Sequence, residues 1–305
     1  MDLCLVGSEM CIRDSDMKNT ININPLSPVM GAEIIGVDLR SELNKKVKEI
    51  LLQAITNFSV ICIRNQDLKP EDLVKVSRLF GTPKKYFLKD ATIEGIPEVI
   101  EVANRSKDTE NKPKVYASHW HTDDSYREKP ATLTFIYPEI LPENGGGTDF
   151  INCYSIYNEL PEKMKSNILN LRAVHKWQSR RNVSEVEKLS IDEEKLTPAV
   201  EHPLIRTHPI SGEKSLYINP NRIDHISGFK EEESDQILDE LYNFSFQSKF
   251  QYSHNYKKGD LVIWDNRCTM HRANSNYDIN QLRVMHRVML ELSLIHISEP
   301  TRHRS

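Results

Sequence analysis

With 305 residues, 38% of them hydrophobic and 28% charged, the chain has apolar material for one large domain or two small ones, and its composition excludes intrinsic disorder. A net charge of −4 leaves no basic footprint for nucleic acid, and no run of about twenty apolar residues offers a membrane-spanning helix.

The first and last segments back-translate to one DNA sequence. Met10-Cys11-Ile12-Arg13-Asp14, reverse-complemented and read one base out of frame, gives Ser293-Leu294-Ile295-His296, and Gly7-Ser8-Glu9 gives Ser298-Glu299-Pro300 in the same way. The string resembles a transposase-end sequencing adapter, so residues 1–15 and 292–305 are expected to be translated adapter. A secretory signal fits less well, because no basic start precedes the short apolar stretch from Met1 to Val6. The expectation is a single domain over residues 16–291.

Along that domain, Gly31 to Leu39 alternates as a strand does. Lys45 to Phe58 follows with Ile50, Leu51, Ala54 and Ile55 on one helical face. Ser59 to Asn65 is a short β-branched run, hence a buried strand. Lys69-Pro70-Glu71-Asp72 opens a second helix toward Phe80, with proline and acids in its first turn. Short strands dominate from there: Glu98–Ala103, Ala131–Tyr137, Leu204–His208, Ser215–Ile218, Leu261–Trp264 and Val284–Glu291. Helices over Ser155 to Leu160 and beyond, and over Lys230–Phe244, interrupt them. Lys176 to Pro198 is polar and aperiodic, a solvated insertion or a lid. Helices first and many short strands afterwards predict a helix-decorated β-sandwich or barrel. Cys62, Cys153 and Cys268 are odd in number and widely spaced. They fit buried free thiols in a reducing cytoplasm rather than a zinc pattern.

Three segments carry chemistry. In SHWHTDDSY, His121 and Asp123 are two apart, so a strand or its exit turns both toward one ion; in isolation the pair is common by chance. In LVIWDNRCTMHRAN, a buried strand delivers His271 a few residues beyond its end. Two histidines and one carboxylate would form a facial triad with open positions, the ligand set of non-haem iron(II). In QLRVMHRVML, Arg283 and Arg287 are four apart in an apolar run. Two inward guanidinium groups are costly unless they meet anions; structural salt bridges are the plainer alternative.

In order and spacing, PLSPVMGAEIIGVDL, HTD, LPENGGGTDF, RTHPISGEKSLYIN, IWDNRCTMHRAN and RVMHR make the chain similar to the taurine/2,4-dichlorophenoxyacetate dioxygenase family over nearly all of Asn24 to Glu291. The resemblance implies an α+β fold with a double-stranded β-helix (jelly-roll) core and flanking helices. It implies a cytoplasmic oxidoreductase that uses Fe(II), O2 and 2-oxoglutarate and forms succinate and CO2 as it hydroxylates a small anionic substrate. That substrate would be a carboxylate, sulfonate or sulfate ester. His121, Asp123 and His271 match the iron ligands. Thr148 and Arg283 match the residues that bind the distal carboxylate of 2-oxoglutarate, and Arg287 matches an arginine that holds the substrate's acidic group. Tyr86 stands in place of a substrate-contacting histidine, Lys89 of a tyrosine and Ala117 of an asparagine, which argues against taurine itself. His119 is a further pocket candidate, and Lys89 and Arg222 are extra positive charges of the kind usually solvated. Relatives of this type assemble as dimers or tetramers. A zinc hydrolase with the same triad, or a non-catalytic metal-binding sensor on this fold, would leave Thr148 and Arg283 without a role.

Overall fold

The computed structural model describes residues 20–86, 91–105, 113–182 and 194–291. Lys89, the middle of the Lys176–Pro198 segment and both expected adapter segments lie outside them.

The apolar spacing read from the sequence builds the first layer. In α1 (Lys45–Phe58), Val47, Ile50, Leu51, Ala54 and Ile55 form the buried stripe, and the Asn44 side chain caps the helix by accepting from the Val47 amide at 2.9 Å. Pro70 opens α2 (Pro70–Ser77), where the Asp72 carboxylate accepts from the Lys69 amide at 3.1 Å. Both helices pack on one face of an eight-stranded sheet of order β1-β2-β3-β14-β6-β16-β5-β4. Its strands are β1 (Asn22–Pro25), β2 (Ala32–Ile35), β3 (Val60–Ile63), β4 (Thr92–Ile93), β5 (Ile96–Ala103), β6 (Leu133–Ile140), β14 (Leu261–Asp265) and β16 (Val284–Met289).

Alternation then separates the two faces. Ile61, Ile63, Leu261, Ile263 and Phe135 join the helices in one cluster, whereas Val60, Cys62, Val262, Trp264, Ile136 and Met285 face inward. The inward set packs against Phe150 of a smaller sheet ordered β13-β7-β15. That sheet comprises β7 (Thr148–Asn152), β13 (Gln251–His254) and β15 (Thr269–Ala273), and an isolated bridge from His121 to His271 extends it. Two facing sheets with helices outside make the expected jelly roll.

A third layer backs the smaller sheet. It holds α3 (Cys153–Glu159), α4 (Glu162–Ile168), the sheet of β8 (Arg172–His175), β9 (Val200–Pro203) and β12 (Ile223–Ile226), the hairpin of β10 (Ile205–Thr207) and β11 (Lys214–Leu216), and α5 (Glu231–Ser245). The helix expected from Ser155 onward is two helices, because Pro161 enters as the N-cap of α4. Cys62, Cys153 and Cys268 are free and buried. Among the described residues, no helix is long and apolar enough to cross a membrane.

The third layer should be sensitive to acid. His175 is fully buried, its Nδ1 is 3.0 Å from Ser125 Oγ, and its ring lies 5.1 Å from that of His202. Burial, then the neighbouring His202 and Arg206, pushes His175 well below the ordinary histidine range; burial and Arg206 lower His202 too. Both stay neutral in the folded state and protonate in the unfolded chain near about pH 6.5. Stability should therefore be intact above that pH and decline as the pH falls through it, by up to ~1.4 kcal/mol per pH unit for each histidine. Urea midpoints at descending pH read this slope. His175→Gln should flatten it, and an equally steep slope in that variant would assign the acid sensitivity elsewhere.

Candidate metal centre and active site

The end of β14 sets the position of the second histidine. Asp265 accepts from the Arg267 amide at 2.9 Å, from Arg267 Nε at 2.8 Å and from His208 Nε2 at 3.1 Å. Burial acts to raise this carboxyl, but Arg267 and His208 hold it well below the usual range. Fixed in this way, the turn carries the chain from the large sheet to the small one, and Thr269 Oγ1 closes it on the Asp265 carbonyl at 2.8 Å. His271 therefore sits in the middle of β15 rather than on a loop past β14. It pairs with Phe150 on one side and His121 on the other.

The two histidines are bridged through their backbones, His121 N to His271 O at 3.0 Å and the reverse at 2.8 Å, so their rings lie on the same side, 4.2 Å apart. Asp123 comes up two residues later. Its Oδ1 is 3.9 Å from His121 Nε2 and its Oδ2 is 3.7 Å from His271 Nε2. One donor atom from each of the three lies within 4.8 Å of the others.

Protonation states suit a metal. Burial pushes His271 down to about 3, with His121 acting in the same direction, and burial also lowers His121. Burial works to raise Asp123, but the charges around it, Arg287 among them, and the Thr134 hydrogen bond keep it ionised. At neutral pH the cluster is two neutral imidazoles and a carboxylate, ready to coordinate without losing protons. The His119 carbonyl accepts from His121 Nδ1 at 2.8 Å, which leaves Nε2 free to ligate.

An outer layer aims the carboxylate. Thr134 Oγ1 donates to Asp123 Oδ2 at 2.7 Å and accepts from Asn266 Nδ2 at 2.8 Å; Asn266 Oδ1 in turn accepts from Trp264 Nε1 at 3.0 Å. Thr134→Val keeps the shape and removes the donor, so divalent-metal affinity should fall about ten- to a hundredfold. Competition with a chromophoric chelator measures it, and undiminished affinity would show that the aspartate is held by packing alone.

Arg283 enters from the residue before β16. Its Nε donates to the Gly146 carbonyl at 2.7 Å, and its side chain fills the hollow above Gly146. The guanidinium is buried, and burial lowers its pKa, yet among the described residues no carboxylate lies within ion-pair distance. Thr148, the first residue of β7, shares a 2.8 Å hydrogen bond with the Tyr256 hydroxyl, and Tyr256 also acts electrostatically on Arg283. Gly147 permits the close approach of the chain entering β7 to the end of β13, since a Cβ there would meet the His254 carbonyl at 2.3 Å. Thr148, Tyr256 and Arg283 thus lie together around a positive charge that no carboxylate among the described residues compensates, and an incoming carboxylate would neutralise it. No sequence signal marks Tyr256, which lies two residues past β13; only its hydroxyl contact with Thr148 reveals it.

Arg287 points inward from β16, with Nη1 3.5 Å from Asp123 Oδ1 and its buried Nε unpartnered. Tyr86 lies nearby, half-buried, its hydroxyl raised by burial while Arg287 and Arg222 act to lower it. With Lys84, Asp124, Tyr126, Ile100 and Met289 it lines a cavity of about 320 Å³. His119 presents an exposed side chain, 3.4 Å from Ser118 Oγ, and meets the site through its carbonyl. Ala117 adopts a left-handed backbone (φ 56°), a conformation asparagine tolerates better than alanine. Arg222 is not the solvated charge expected of it: it is half-buried against aromatic rings.

A second cluster, Cys62, His254 and Asp260, is equally compact and fully buried. However, Arg64 Nη1 lies 2.6 Å from Asp260, so the position a cation would need is already next to a fixed positive charge.

Comparison with known proteins agrees with this geometry. The model of the taurine catabolism dioxygenase TauD, TfdA family matches residues 22–289. An alpha-ketoglutarate-dependent 2,4-dichlorophenoxyacetate dioxygenase of Cupriavidus pinatubonensis is 30% identical over 278 residues, covering 87% of this chain and 95% of its own. The crystal structure of a taurine dioxygenase from Burkholderia xenovorans superposes with a TM-score of 0.76 at 27% identity, covering 89% of each chain. AAD-2, crystallised with Mn(II) and N-oxalylglycine, gives 0.75 at 26% identity over 89% of this chain and 97% of its own.

Proposed function

This chain belongs to the TauD, TfdA family, and on that premise we propose that His121, Asp123 and His271 hold iron(II), that Thr148 and Arg283 receive the distal carboxylate of 2-oxoglutarate, and that Arg287 with Tyr86 receives the anionic group of the primary substrate. The enzyme is a 2-oxoglutarate (alpha-ketoglutarate)-dependent dioxygenase, an oxidoreductase that uses Fe(II) and O2. When bound, iron(II) and 2-oxoglutarate supply oxidative decarboxylation to succinate and CO2, coupled to hydroxylation of a substrate C–H bond.

The protein's own part is charge and position. Arg283 offers its remaining N–H donors to a carboxylate, a fork-to-fork pairing that also fixes orientation. Thr148 adds a hydroxyl donor, and Tyr256 holds that hydroxyl in place. Asp123, aimed by Thr134, keeps one oxygen toward the metal position, and His119 contributes through its carbonyl by fixing the His121 tautomer. On the far side of the triad, Arg287 is placed to draw an acidic substrate toward the oxidising centre. Free, buried thiols support a cytoplasmic setting. The substrate class is a small organic carboxylate, sulfonate or sulfate ester, acted on as a free molecule.

The buried guanidinium of Arg283, with no carboxylate beside it among the described residues and the triad in the same barrel, is the observation that carries this reading. A hydrolase or a bare metal sensor gives that charge no role. Anaerobic addition of iron(II) and then 2-oxoglutarate to metal-free protein should produce a weak visible charge-transfer band that needs both. Iron binding without the band would overturn the cofactor assignment. Arg287→Ala should leave the band intact and weaken substrate binding about ten- to a hundredfold. The opposite pattern, a lost band with substrate binding preserved, would mean that the two arginines have exchanged roles.

A further inference from the structure

Arg222 lies in the turn entering β12, and that turn is braced against the metal-binding segment. Asn219 Nδ2 donates to the Thr122 carbonyl and to Ser125 Oγ, both at 2.8 Å, and the Arg222 amide donates to the Asn219 carbonyl at 3.0 Å. The guanidinium lies 4.4 Å from the centroid of the Trp177 ring and 5.3 Å from that of Tyr126, and one Nη1 hydrogen goes to the Trp177 carbonyl. Tyr126 in turn donates to Asp124 Oδ1 at 3.1 Å. The head group is thus clamped between rings, directly over residues 122–126.

Three enclosed arginines meet carboxylates: Arg64 meets Asp260 and Glu33, Arg267 meets Asp265, and Arg181 meets Asp235 and Asp239, whereas Arg283 meets none among the described residues. Arg222 has no carboxylate within ion-pair distance among the described residues, although burial lowers its pKa and so marks an enclosed charge. Its field reaches His121 alongside that of Arg287, and both act on Tyr86 between them. A guanidinium has five donors; one is spent on a carbonyl, and the aromatic clamp fixes the plane of the rest. Arg287, 3.5 Å from Asp123 Oδ1, and Arg222, stacked on Tyr126 of the segment that follows Asp123, are thus two held arginines beside the His121–Asp123 segment.

We propose that Arg222 is a second anion anchor in the primary-substrate pocket, so that the preferred substrate carries two separated acidic groups, one on Arg287 and one on Arg222. This inference rests on the assignment of Arg287 to the substrate. The aromatic faces of Trp177 and Tyr126 fix the plane of the Arg222 guanidinium, which suits pairing with a planar carboxylate.

The test uses protein loaded with iron(II) and saturating 2-oxoglutarate under anaerobic conditions, with alkanesulfonates and ω-carboxyalkanesulfonates of matched length as probes. Binding is read by calorimetry and by perturbation of the visible band. The dianion should bind about ten- to a hundredfold more tightly than its monoanionic partner. Arg222→Gln should reduce the dianion to the monoanion's affinity and leave monoanion and 2-oxoglutarate binding unchanged, whereas Arg222→Lys should keep part of the preference. Equal affinities in the wild type, or failure of both probes to bind, overturns the proposal. So does an equal loss for both probes in Arg222→Gln with full retention in Arg222→Lys, which would mark a packing role beneath Trp177. Calorimetry works without the visible band, so a missing band would count against the cofactor assignment while the dianion comparison still decides the role of Arg222.

Discussion

His121→Ala is expected to lower 2-oxoglutarate-dependent turnover by about a thousandfold or more, a barrier increase of at least ~4 kcal/mol, while the protein stays folded. The structural cost is small because the backbone, not the ring, joins His121 to His271, through hydrogen bonds of 3.0 and 2.8 Å. The side chain is also the most exposed of the three, 14% against 6% for Asp123 and 7% for His271. Its loss should therefore change stability by no more than about 1 kcal/mol. Asp123→Ala would be a less clean experiment, since it also strips partners from Thr134 Oγ1 and Arg287 Nη1. Iron content, turnover and a thermal melt measured on the same preparation separate the effects. Retained turnover in His121→Ala would remove this histidine from the metal site.

Arg283→Gln should show the reverse combination of effects. In the ligand-free protein Arg283 is a buried charge whose hydrogen bond goes to the Gly146 carbonyl rather than to a carboxylate. Its neutralisation should leave folding stability unchanged or raise it, because an enclosed unpaired charge costs solvation that nothing returns. With 2-oxoglutarate present, the same substitution removes one half of an enclosed charge pair, a loss of about 2–5 kcal/mol, or roughly thirtyfold to several thousandfold in affinity. Anaerobic titration of the visible band gives the affinity, and urea unfolding with and without 2-oxoglutarate gives the stabilities. A variant that unfolds more easily without ligand yet binds 2-oxoglutarate normally would make Arg283 a structural residue.

Much of the active site was legible in the sequence because its chemistry is local. His121 and Asp123 lie within one tripeptide, and Arg283 and Arg287 are four apart, one just before β16 and one inside it, so spacing keeps the members of each pair close. Three-residue signals of this kind do not reveal the strand that receives them. β7, β8, β9, β12, β13 and β15 were not anticipated, since each is four or five residues long and takes its conformation from its partners. Tyr256 illustrates the gap. Nothing near it in the sequence marks it, yet the antiparallel pairing of β13 with β7, close at Gly147, brings its hydroxyl to Thr148.

Arg222 shows the same limit from the other side. As a residue in a polar turn, it has a hydropathy that predicts solvent. Its enclosure comes from Trp177 and Tyr126, which are 45 and 96 residues away in the chain. By itself the sequence determined the alternation that sorts each strand's two faces, the helix starts at Lys45 and Pro70, and the residues proposed to hold the metal and the anionic groups. These depend on backbone periodicity, capping and side-chain chemistry, which act over a few residues. Only the tertiary structure decided which charges would be left without partners, because desolvation depends on everything packed around a group. Arg267 and Arg283 have the same side chain, but folding pairs one with Asp265 and buries the other with a carbonyl as its hydrogen-bond partner.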